Sequence, residues 1–139
     1  MSTFVGTWTY RSFINDATEV GTDAKAALAL IFGEGVMTIA ATEMGDFKGT
    51  LSFGDPDVMD LRGWTSYGSP FTARFQGVGR KGTDVAGWVY DYLVYLVPSW
   101  PDGVGQTPAF VGSVVRTVPH SDGKAKAGFT ASIVAVKRG

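Results

Sequence analysis

The sequence predicts an all-β chain that closes into an antiparallel up-and-down β-barrel of eight or so strands, and three observations lead there. Glycine accounts for 19 of the 139 residues, about twice its usual ~7% share. The glycines fall between short segments rich in Val, Ile, Thr, Phe, Tyr and Trp, residues that suit a pleated, half-buried surface. Most links between these segments have hairpin length and turn chemistry, so strands adjacent in sequence pair antiparallel. A serial meander leaves two open edges, and closing on itself hides both. A two-sheet sandwich would need long crossovers, few of which are visible. The length fits one domain, residues 1–139.

Taken in order, strands are expected at Phe4 to Ile14, Ala26 to Phe32, Val36 to Thr42, Phe47 to Phe53, Val58 to Trp64, Phe71 to Val78, Val85 to Val97, Ala109 to Val118 and Ala127 to Lys137. Ala24 to Phe32 contains good helix formers. It is short, however, and runs into Gly33-Glu34-Gly35, so it reads as the first arm of a hairpin turning there. Met44-Gly45-Asp46, Gly54-Asp55-Pro56-Asp57, Tyr67-Gly68-Ser69-Pro70, Arg80 to Asp84 and Ser121-Asp122-Gly123 supply further turns. Pro98 to Pro108 holds three prolines and two glycines, which bar a helix and make a long loop.

Strand periodicity places Trp88, Tyr90, Tyr92, Val94 and Leu96 on one face and Val85, Val89, Asp91, Leu93 and Tyr95 on the other. Both faces are largely apolar. A partner subunit or the Pro98 to Pro108 loop is therefore expected to cover the outer one. Arg11, Asp60, Arg62 and Arg74 read as solvated outer positions. Asp91 interrupts an apolar run and, if buried, needs a partner. Arg116 on the adjacent strand is the candidate, either in a structural ion pair or as a polar group that orients a ligand.

Composition removes several classes of function. Hydrophobic residues make up 45% and charged residues 18%, which argues against disorder. Net charge is −1, leaving no basic excess for nucleic acid or anionic lipid. No apolar run is long enough to span a membrane as a helix, and Met1-Ser2-Thr3-Phe4 lacks the character of a signal peptide, so a cytoplasmic location is expected. The absence of cysteine excludes disulfides, thiolate metal sites and thiol catalysis. Gly77-Val78-Gly79-Arg80-Lys81-Gly82 has dinucleotide-binding spacing, but a strand follows where a helix start is required, so it reads as a hairpin. His120, the only histidine, stands at the start of a turn and reads as an exposed turn residue. No cofactor and no metal are expected, and nothing demands an enzyme.

Gly6-Thr7-Trp8 on the first strand resembles the calycin superfamily of lipocalins, fatty-acid-binding proteins and avidins, in the form typical of avidins. The resemblance implies that Trp8 plugs one barrel end and stacks on a basic residue from a late strand, Arg116 or Lys137. It does not extend to biotin. Tyr10 stands where avidins carry the asparagine that binds the ureido oxygen, and the last strand lacks their tryptophan and aspartate. The expectation is a lumenal site for a small, mainly apolar molecule, with a cofactor-independent cyclase or isomerase on a lipid-like or polyketide-like substrate as the alternative. Candidate ligand-binding residues are Trp64, Trp88, Tyr90, Asp91, Tyr92, Trp100 and Arg116. The entrance is expected between Tyr67 to Pro70 and Pro98 to Pro108, with Trp100 as a lid or subunit contact. A homodimer or larger oligomer is expected, involving Val85 to Val97.

Overall fold

The computed structural model describes residues 4–16, 21–41, 46–68, 70–98 and 105–138. Eight antiparallel strands form a closed barrel in which each pairs with the next in sequence and the last with the first. They are β1 (Gly6–Ile14), β2 (Ile31–Ala41), β3 (Asp46–Ser52), β4 (Val58–Ser66), β5 (Thr72–Gly79), β6 (Val89–Leu96), β7 (Ala109–Arg116) and β8 (Thr130–Lys137). Burial alternates along them, clearest in β5, where Ala73, Phe75 and Gly77 are buried while Arg74, Gln76 and Val78 are exposed. The inward residues of all eight strands merge into one core. No helix among the described residues is long and apolar enough to cross a membrane.

Two expectations for the stretch between β1 and β2 are corrected. Ala24–Leu28 is a short helix, α1, instead of a strand. The Asp23 carboxylate caps it, accepting hydrogen bonds from the Lys25 N–H at 2.9 Å and the Ala26 N–H at 3.3 Å. Pairing between β1 and β2 ends at Phe13 and Ile31, so residues 24–28 lie beyond the ladder with no strand to join. Helix propensity and an N-cap then decide the local conformation. Gly33-Glu34-Gly35, in turn, is not a turn but lies inside β2, paired with Ser12, Arg11 and Tyr10. The glycines there serve close approach, since a Cβ on Gly35 would sit 2.4 Å from the Ser52 carbonyl oxygen.

The pairing of β1 with β2 also slips by one residue between Ser12 and Phe13, leaving Phe32 as the extra residue of a bulge. At the other end of β1, Trp8 is fully buried and donates from its indole N–H to the Phe4 carbonyl at 3.0 Å. Its ring meets Phe110 edge-on at 4.7 Å, and Phe110 meets Phe4 at 5.7 Å. The Lys137 ammonium lies 5.7 Å from the Trp8 ring, so Lys137 and not Arg116 is the basic residue stacked on it. Gly6, at φ +142°, gives that lysine room, because a Cβ would lie 2.8 Å from its Cε. Trp8, Phe4 and Phe110 close this end of the barrel.

Candidate functional site

The opposite end is formed by the links β1–β2, β3–β4, β5–β6 and β7–β8, and a cavity of about 200 Å³ opens there. Its walls are aromatic. Tyr10 on β1, Phe32 at the bulge, Phe53 after β3 and Trp88, Tyr90 and Tyr92 on or just before β6 all border it. Tyr92 stacks on Phe75 at 4.6 Å, and Tyr10 meets Tyr92 edge-on at 6.3 Å. Burial pushes the Tyr10 phenol up to about 12. Burial, then the neighbouring Tyr10, also raises Tyr92 well above the usual phenol range. Both rings therefore keep their protons at any physiological pH.

Polar groups gather at the mouth. Arg116, only 7% exposed, donates from Nε to the Tyr90 hydroxyl at 3.0 Å and from Nη1 to the Lys126 carbonyl at 3.1 Å. Its guanidinium carbon lies 5.6 Å from the Phe32 ring, 5.6 Å from Tyr90 and 5.0 Å from Phe129. Guanidinium can only donate, so the Tyr90 oxygen accepts from Arg116, and the Tyr90 hydroxyl shares a second hydrogen bond with His120 Nε2, 2.9 Å away. The other ring nitrogen, Nδ1, shares a hydrogen bond with Ser121 Oγ at 2.8 Å. Partial burial, then the Arg116 charge, lowers the His120 pKa, which favours the neutral imidazole.

His120 is half-buried, stacked on Trp88 at 4.3 Å with the ring planes 15° apart, which corrects its reading as an exposed turn residue. The turn that aims it is tight. Ser121 and Asp122 both take φ 56°, Gly123 φ 80°, and the Gly123 N–H bonds the His120 carbonyl at 3.2 Å. Consecutive left-handed, non-glycine residues carry strain and persist only where surrounding structure enforces them. A bridge from His120 to Ala125 supplies that enforcement. On β1, Ser12 is 1% exposed and lies beside the Tyr10 phenol, whose pKa it lowers against the larger effect of burial.

Of the residues singled out in the sequence, Trp88, Tyr90, Tyr92 and Arg116 come together at the cavity. Trp64 does not. It is 59% exposed on the outer surface with Arg62 and Asp60, because Leu61 and Gly63 are the inward residues of β4. Asp91 is also outside and forms no pair with Arg116. The β6–β7 register sets Tyr90 opposite Arg116 and Asp91 opposite Val115. Asp91 accepts instead from Gln76 Nε2 at 3.0 Å and Thr117 Oγ1 at 2.7 Å on the outer face. A shallow outer concavity of about 760 Å³ contains both Trp64 and Asp91. It is larger than the lumenal cavity but lies on the charged outer face, where Asp91 is already paired with Gln76 and Thr117.

The expected entrance between Tyr67 to Pro70 and Pro98 to Pro108 is corrected as well, since those links fringe the end that Trp8 closes. Trp100 lies outside the described residues. Sequence reasoning missed Tyr10 and Ser12, although an inward Trp8 already implied them through the two-residue period of β1. It had no signal for Phe32, whose position depends on the bulge, or for His120. Among the described residues no cluster of three His, Asp or Glu side chains has the geometry of a metal site. The chain matches no protein-family model, no curated protein and no solved structure.

Proposed function

We propose that the protein is a calycin-like barrel that binds a small, mainly apolar molecule, not biotin, in its lumen. One observation carries the reading, the cavity of about 200 Å³ walled by aromatic rings at the end away from the Trp8 plug. An apolar cavity of ~150 Å³ accepts benzene, so the space suits a single ring with a short substituent or a comparable aliphatic chain. Rigid aromatic walls give contact area at little entropic cost. Small hydrophobic probes should quench the tryptophan fluorescence saturably, and Trp88→Ala should weaken binding about tenfold with the fold intact. Equal affinity in the variant would move the site out of the lumen.

A second reading, a cofactor-independent isomerase or cyclase acting on a lipid-like or polyketide-like substrate, is favoured by the Tyr90 to His120 hydrogen bond. A proton given up or taken by substrate at the Tyr90 hydroxyl would exchange with solvent through His120. Recovery of a bound molecule from deuterated buffer decides between the two. A binder returns it unlabelled and an isomerase returns it with carbon-bound deuterium. We also propose a homodimer or larger assembly through the outer face of β6 to β8, on which Leu93, Tyr95, Val134 and Val136 are exposed.

A further inference from the structure

We infer that the molecule bound in the lumen carries a carboxylate, held by the Arg116 guanidinium at the cavity mouth. The inference rests on the lumen being a ligand site and names the chemistry of what enters it. It starts from an imbalance of charge. Arg116 is 7% exposed, yet among the described residues no carboxylate pairs with it. Among the described residues the one salt bridge joins Arg80 to Asp60 on the outer surface. Among the described residues no acidic side chain borders the cavity, and Asp91 faces outward. A buried cation without a counter-charge is costly, and the neighbouring aromatic faces offset only part of that cost.

The donors are also incompletely used. Nε and Nη1 of Arg116 bond Tyr90 and the Lys126 carbonyl, and Nη2 has no partner among the described residues. One guanidinium balances a monoanion, whereas a phosphate dianion would be left with unbalanced negative charge. Guanidinium N–H donors to carboxylate oxygens are among the strong protein hydrogen bonds. The rest of the lining is largely aromatic and aliphatic, so the carboxylate belongs to an apolar body of about single-ring size.

Phenylacetate and phenylacetamide, nearly identical in shape and differing in charge, provide the test by calorimetry and tryptophan fluorescence near neutral pH. The wild-type protein is expected to bind phenylacetate at least about tenfold more tightly than the amide. Arg116→Gln should erase that preference, and Arg116→Lys should restore part of it. If Arg116→Gln does not fold, the wild-type comparison and Arg116→Lys decide. Equal binding of the two probes overturns the inference and leaves the lumenal binding site standing. A carboxylate preference that survives Arg116→Gln also overturns it, by placing the anion elsewhere. Failure of both probes to bind at millimolar concentration overturns the inference and the lumenal reading together.

Discussion

Trp8 and His120 show how differently two single residues can be tied into one barrel. Trp8 meets Phe110, Phe4 and Lys137 with no exposed surface, so removing its side chain leaves a large void at the closed end. Trp8→Ala is expected to cost about 3–5 kcal/mol, a large share of a small domain's stability, and chemical denaturation will measure it. An unchanged midpoint would mean that the closed end is not part of the cooperative core. His120 acts through protonation. Its folded pKa lies below the ordinary 6.5, so between those two values the unfolded chain holds more protons. Stability therefore falls as pH drops through that window and is unaffected by this group above it. Acidification from about pH 7 to about 5 should lower Tm more in the wild type than in His120→Gln. Parallel curves would show that the imidazole is not held neutral by Arg116 and burial.

Among the elements, β2 best shows how a strand can hide in a sequence. Two glycines flanking Glu34 look like a turn, yet they pair with β1 and let β3 approach, with the Ser52 carbonyl 2.4 Å from where a Gly35 Cβ would be. Gly35→Ala should therefore destabilise the barrel by about 1–3 kcal/mol through overpacking. A flexible turn would tolerate the same change or gain from it, so the sign of the measured shift separates the two cases. β6 was easier to read. Its alternation correctly grouped Tyr90, Tyr92 and Val94 on one face and Asp91, Leu93 and Tyr95 on the other. The strand itself is Val89–Leu96, shorter than Val85 to Val97, because residues 80–88 form the link from β5. Val85 is nevertheless buried within that link.

Across the whole molecule, closure removes the edges but leaves one side of the barrel greasy. Leu93 and Tyr95 on β6 and Val134 and Val136 on β8 flank β7, whose Val111 pairs with both Tyr95 and Val134. These side chains form a continuous outer patch, each of the four exposed by 38–45%. Covering such a surface stabilises an assembly by about 25 cal/mol per Å² before the entropy of association is subtracted. Sedimentation should show a dimer or larger species at micromolar concentration, and Leu93→Lys should shift it toward monomer. A wild-type monomer at high micromolar concentration would reject the assembly.

Local chemistry was enough to anticipate the barrel, because alternation, turn residues and short links depend on neighbours in the chain. Alternation also grouped the residues of β6 by face, while the burial of Trp8 was implied by the resemblance that Gly6-Thr7-Trp8 carries. Local chemistry could not say which residues of separate strands share a side, and there the reading of Asp91 with Arg116 failed. Alternation relates residues within one strand, whereas a one-residue change of register exchanges every face against the neighbour. Register arises where distant segments meet, as in the slip beside Ser12 that turns Phe32 into the mouth. The same holds for the open end, which is open because Trp8 fills the other. It holds too for His120, which a strained turn carries onto Trp88 and Tyr90 from 32 and 30 positions along the chain.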